Sequence, residues 1–181
     1  MKKLYRQILI LSAFALLFLV SSCNPFDDVY LNLDMDTEFN ITAAGSEISI
    51  QKDFCLSDFE DYQDNKDHIL EIRYISSAYL TINSTPGLQG NNLVLTLYQA
   101  DGSTILFKYT VSTFIAADYI NNPLKINLTQ QEIDNINLYL KNPRDNKCFI
   151  AKLELSNVTA STLTYQLECK TEFLAELKIE P

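Results

Sequence analysis

From residue 29 onward the chain alternates apolar and polar side chains with a period of two. Val29, Leu31, Leu33, Met35, Phe39 and Ile41 share one parity, and Asn32, Asp34, Asp36, Glu38 and Asn40 share the other. An extended backbone sends successive side chains to opposite faces. The pattern therefore predicts a strand, or two in sequence, with one face in a core and the other in water. The same rhythm predicts strands over 47–54, after the turn at Gly45, and around Leu80 and Ile82, ended by Pro86-Gly87. Two more, over 93–99 and 104–111, flank Asp101-Gly102, the strongest hairpin signal in the chain. Leu124, Ile126 and Leu128 predict a short strand, and the runs 149–156 and 163–179 complete the set. The last alternates for 17 residues, longer than common strands, which predicts a bend, bulge or turn inside it.

Two segments break the rhythm. Thr129-Gln130-Gln131-Glu132 has the form of a capping box, in which a hydroxyl and a carboxylate satisfy each other's backbone N–H groups at a helix start. Ile133, Ile136 and Leu140 follow at helical spacing before Pro143, so one short helix is expected near 130–141. The segment 57–75 is ambiguous. Ile69, Ile72 and Ile75 suit a helix about as well as Leu70, Ile72 and Tyr74 suit a strand, and an acidic loop or helical turn leading into a strand is the expected form. About seven to nine strands and one helix imply an all-β fold, a two-sheet antiparallel β-sandwich occupying 29–181 as a single domain.

Ahead of the alternating region lies a different kind of segment. Lys2, Lys3 and Arg6 make the N-terminus basic, and residues 8–20 are apolar except for Ser12. Thirteen residues are too few for a transmembrane helix, and the arrangement is that of a secretory signal. Val20-Ser21-Ser22-Cys23 follows, which resembles the lipobox of bacterial lipoproteins. The resemblance covers residues 1–23 only. It implies that 1–22 are a signal peptide, that Cys23 is diacylated through its sulfur, and that cleavage makes it the first mature residue. Two or more acyl chains anchor a protein stably where one does not. Residues 23–28 would then be a lipidated end and short tether, reaching less than roughly 20 Å. Asn24 fits the outer-membrane default of such lipoproteins, on the periplasmic face or the cell surface. Asp27 and Asp28 loosely resemble an acidic surface-display tag, or are simply a solvated acidic stretch.

Charge and cysteine content narrow the picture. Without Lys2, Lys3 and Arg6, 11 basic residues face 23 acidic ones, a net charge of about −12. Such a body repels nucleic acid and anionic head groups, which leaves the lipid-anchored membrane and another envelope protein as the expected partners. After Cys23 three cysteines remain, which in an oxidising compartment predicts one disulfide and one free thiol. Cys169 shares its parity with Tyr165, Leu167, Phe173 and Leu177, a core face. Cys55 and Cys148 fall on the parity opposite to their apolar neighbours, so they are the expected pair.

Catalytic ingredients are few. His68, beside Asp67, is the only histidine, and there is no nucleophile-elbow motif. Four glycines cannot compose a phosphate-binding loop or a dinucleotide fingerprint. The absence of tryptophan weighs against a sugar-binding cleft. Asp58, Glu60, Asp61, Asp64 and Asp67 form the densest acidic cluster, where hard oxygen ligands could hold Ca²⁺. The glycine that an EF-hand turn needs is missing, and the alternative is a solvated acidic loop; no other cofactor is expected. The functional expectation is a non-catalytic binding or scaffold module close to the membrane. The alternatives are a carrier or sensor of a small apolar ligand such as a lipid, held between the sheets, and a carboxylate-based hydrolase.

Overall fold

The computed structural model describes residues 28–180, and Tyr30–Glu180 forms one compact unit. The signal segment, Cys23 and most of the tether lie outside the described residues. Eight strands are present: β1 (Val29–Ala44), β2 (Glu47–Cys55), β3 (Ile69–Ser84), β4 (Gln89–Gln99), β5 (Ile105–Ile115), β6 (Leu124–Ile126), β7 (Cys148–Thr159) and β8 (Thr164–Ile179). They form two four-stranded sheets, ordered β1-β8-β3-β6 and β2-β7-β4-β5. This is the two-sheet sandwich that the alternation predicts.

Its connectivity is that of a nested hairpin. β4 pairs with β5, β3 with β6, β2 with β7 and β1 with β8, working outward from the Asp101-Gly102 turn. In Tyr98↔Ile105, Ser77↔Ile126 and Cys55↔Cys148 the two residue numbers add to 203 every time, so these pairs share a centre between Asp101 and Gly102. One long antiparallel ribbon has rolled into two layers, the topology of a jelly roll.

The turn at its centre is well built. Gly102 has φ +67°, a conformation that costs an L side chain but not glycine. Asp101 Oδ1 accepts from the Ser103 and Thr104 N–H groups at 2.9 and 2.8 Å, and Oδ2 accepts from the Thr104 hydroxyl at 2.6 Å. The Thr104 hydroxyl first, then the two backbone N–H groups, hold the Asp101 carboxyl down at about 2.

The expected irregularity lies not in β8 but in its neighbour. Along the β3–β8 ladder, Leu70, Ile75 and Ile82 are each an extra residue on β3, opposite no partner. All three are exposed, and each shifts the inward parity of β3 by one. Ile69 and Ile72 are consequently both buried although three apart, which is why their spacing mimics a helix. A second correction concerns the helix count. Besides α2 (Gln130–Leu140) there is a short α1 (Glu60–Asn65), preceded by a 3₁₀ turn at Leu56–Asp58. A third concerns Leu163, which is 93% exposed ahead of β8 rather than part of its core face.

Aromatic rings fill the space between the layers. Phe54 of β2 stacks on Phe149 of β7 at 5.1 Å and on Phe173 of β8 at 5.7 Å, and Phe107 of β5 lies 5.9 Å from Phe173. Phe173 is the ring that the β1 sheet contributes to this cluster. A second cluster joins Tyr79 of β3, Phe114 of β5 and Tyr119. Gly90 is needed where β4 meets β7: a Cβ there would lie 2.8 Å from the Ser156 carbonyl oxygen.

Helix α2 closes one open side of the sandwich. Thr129 and Glu132 form the predicted capping box, with Thr129 N donating to Glu132 Oε2 at 2.9 Å. Glu132 Oε1 also accepts from the Lys108 N–H of β5 at 3.2 Å, and Asn137 Oδ1 accepts from the Tyr74 N–H of β3 at 2.9 Å. One helix thus satisfies a main-chain group of each sheet. On the other side, Lys52 occupies a core-facing position of β2 yet is exposed, and its Nζ donates to the Glu38 carbonyl of edge strand β1 at 3.3 Å. An inward-pointing charge of this kind blunts a sheet edge against pairing with another chain.

Phe173→Ala, which removes the ring that ties the layers together, is expected to cost about 3–5 kcal/mol in a denaturant titration. The depressed Asp101 carboxyl stabilises the turn fully above its ordinary value near 4, and that contribution is lost as pH falls toward 2. Asp101→Asn is therefore expected to lower the thermal midpoint most at pH 5 and above, with the gap to wild type closing by pH 2.

Candidate functional site

Cys55 and Cys148 end the β2–β7 ladder as direct cross-strand partners and are joined by a disulfide, 93 residues apart in sequence. The bond sits in a clasp between two loops. Leu56 N donates to the Lys147 carbonyl at 2.9 Å, Ser57 N to Asn146 Oδ1 at 2.9 Å, and the Tyr62 hydroxyl to the Pro143 carbonyl at 3.0 Å. Cys169 is a buried free thiol. Burial pushes its pKa up to about 12, against a smaller opposing hydrogen bond from Tyr79, so it stays protonated and unreactive.

The acidic cluster does not assemble. Among the described residues no group of three or more His, Cys, Asp or Glu side chains is placed to hold a metal ion. Asp58 is used as a cap, its Oδ2 accepting from Cys55 N at 2.7 Å. Glu60, Asp61 and Asp64 are spread along α1, and Asp67 lies in the turn beyond it. The five candidate calcium ligands are thus divided among a cap, a helix and a turn, and the structure does not bring them together as one site. His68 is exposed in the turn before β3, where its backbone, not its ring, bonds Asn65 and Glu180.

No carboxyl among the described residues has its pKa raised, as the proton donor of an acid–base pair would. The three whose pKa is displaced are all displaced downward. Asp101 has been described, and Asp145 is lowered first by its hydrogen bond from Lys147. For Glu132, burial works in the opposite direction, but the N–H groups of Thr129 and Lys108 and the Thr129 hydroxyl outweigh it. A carboxyl held below its usual range is a poor proton donor at neutral pH.

The space between the sheets is nearly filled. The void lined by Met35, Phe54, Leu97, Ile136, Phe149 and Phe173 measures about 20 Å³, entirely apolar. That is room for about one water-sized molecule and not for an acyl chain. Two inward hydroxyls, on Thr37 and Thr171, have no hydrogen-bond partner.

The spaces of ligand size lie outside the core. One, of about 480 Å³, crosses the outer face of β1, β8 and β3. Asp34, Asp36 and Glu172 line it, and its one cation, Lys170, is held by Glu172 at 2.7 Å. That bond first, with Asp36 and Glu38 adding, raises the Lys170 pKa. The second, about 470 Å³, runs between the last turns of α2 and the β4–β5 hairpin. Ile105, Leu138 and Tyr139 supply its apolar floor, and Lys141, Lys147 and Asn142 its rim. Helical spacing in the sequence points to Ile136 and Leu140, both buried, and passes over Leu138. The available signal was an apolar residue out of step on the polar face of α2.

No family model matches the chain, and no curated protein matches it. Among solved structures, it is similar to one of infectious bursal disease virus, Gx strain. That match has 12% identity over 85% of this chain and 32% of that chain, with a TM-score of 0.36. It is also similar to one of Desmodium yellow mottle tymovirus, at 7% identity over 83% of this chain and 90% of that chain, with a TM-score of 0.27. The chain spans about a third of the length of the first. At these TM-scores neither likeness bears on what the protein does.

The chain-entropy model assigns a bond closing a loop of this length roughly 4 to 5 kcal/mol of stability. Cys148→Ala is accordingly expected to lower the unfolding free energy from a denaturant titration by that amount, while Cys169→Ser leaves the redox sensitivity of unfolding unchanged.

Proposed function

We propose that this protein is a lipid-anchored component of a bacterial envelope whose jelly-roll body binds or supports another envelope protein through its surface, without catalysis. The filled inter-sheet space carries this reading, since it leaves the outside of the molecule as the place where a partner can be met. The lipobox-like Val20-Ser21-Ser22-Cys23 supports the anchor and the compartment, with the outer membrane as the proposed location. A disulfide between β2 and β7 suits an oxidising environment. The short tether keeps the body within roughly 20 Å of the lipid, where its neighbours are membrane-associated proteins. The lowered carboxyls and the isolated His68 favour binding over hydrolysis.

In the producing cells, an alkyne-tagged fatty acid is expected to label the wild-type protein and not Cys23→Ala, which should shift from the membrane to the soluble fraction. Crosslinking of the labelled protein is expected to trap a discrete protein neighbour. Labelling of Cys23→Ala, or crosslinks scattered without any preferred neighbour, would count against the reading.

A further inference from the structure

The groove beside α2 differs from the rest of this surface in two respects. Leu138 is 69% exposed and Ile105 47% exposed, and both line the same trench. Apolar side chains left in water together, rather than singly, mark a contact surface. The trench is also basic in an acidic protein. Lys141 and Lys147 line it and no carboxylate does, although the chain has 23 acidic residues against 14 basic ones. Lys147 is already engaged, by Asp145 at 3.0 Å and by the face of Tyr139 at 5.4 Å. Lys141, which follows the last turn of α2, is exposed and lines the groove.

We propose that this groove docks an extended acidic peptide segment of a partner protein, with an apolar side chain seated on Leu138 and Ile105 and a carboxylate on Lys141. The inference rests on the partner-binding reading and names its surface. Charge complementarity selects the occupant: Lys141 repels a basic segment and gives a neutral one nothing, whereas it offers an acidic segment the opposite charge that the rest of this acidic surface withholds. The shape selects against a lipid surface, because a flat bilayer cannot enter a trench. It also selects against a small ligand, since the groove is open along its length and would leave such a molecule half in water. Asn142 on the rim offers hydrogen-bonding capacity for a peptide backbone.

The test uses the full-length protein in a non-ionic detergent and a fluorescein-labelled decapeptide of alternating Glu and Leu, read by fluorescence anisotropy. Binding is expected, with glutamine and lysine versions of the peptide weaker by about tenfold or more. Lys141→Glu and, separately, Ile105→Ser and Leu138→Asp are each expected to weaken it by about tenfold, with unchanged thermal midpoints confirming the fold. Equal affinity for the three peptides, or binding indifferent to all three substitutions, overturns the proposal. So does binding to phosphatidylglycerol vesicles that Leu138→Asp abolishes, since it assigns the surface to lipid. Peptide binding in vitro without any crosslinked neighbour in cells would leave the groove standing and remove the envelope-partner reading. A trapped neighbour without peptide binding would do the reverse.

Discussion

The register centred between Asp101 and Gly102 constrains nearly everything else in this molecule. Strand side chains alternate with a period of exactly two positions, so a slip of one residue would carry a whole apolar face into water. Because β4–β5, β3–β6 and β2–β7 share that centre, the hydrophobic sets of both sheets are committed together. The disulfide belongs to the same register: Cys55 meets Cys148 because a hairpin folded at the central turn puts them opposite each other. Asp101 and Gly102 specify the turn locally, the first by three hydrogen bonds and the second by its left-handed backbone.

A rolled ribbon leaves four strand edges, and each is a potential template for unwanted pairing. Here they are managed individually. Strand β6 is only three residues long. Glu132 and Asn137 of α2 take up main-chain N–H groups of β5 and β3, and Lys52 covers a carbonyl of β1. The capping-box glutamate therefore serves both the start of its own helix and the neighbouring sheet. With the edges covered in this way, strand addition by another chain is disfavoured.

The layers are joined by rings rather than separated by a chamber. Phe173 reaches from one sheet into the Phe54, Phe149 and Phe107 cluster of the other, and Tyr79, Phe114 and Tyr119 repeat the arrangement elsewhere. With ten phenylalanines and ten tyrosines, the chain has enough aromatic volume to fill a sandwich core without tryptophan. The same packing that stabilises the fold leaves the ligand-sized spaces on the outside.

Much of this was legible in the sequence because a strand's face is a local property. Parity alone set Leu33, Met35, Phe39 and Ile41 in the core and separated Cys169 from the two cysteines that bond, and the equally local capping-box spacing marked the Thr129–Glu132 cap. Parity fails where the backbone inserts an extra residue, and the bulge at Leu70, by burying Ile69 and Ile72 three positions apart, made the start of β3 resemble a helix. Nor does a local pattern measure distance. The acidic residues from Asp58 to Asp67 are dense along the chain, yet they are divided among a cap, a helix and a turn and form no group of three placed to hold a metal ion. A filled and a hollow sandwich share one alternation, and ring packing across the sheets decided between them. Leu138 and Ile105, far apart in sequence, became neighbours in one groove only through the docking of α2. The sequence by itself determined which face of each strand is apolar and where the ribbon folds back. What that ribbon encloses, and what it leaves exposed, was decided by packing between residues that no local pattern connects.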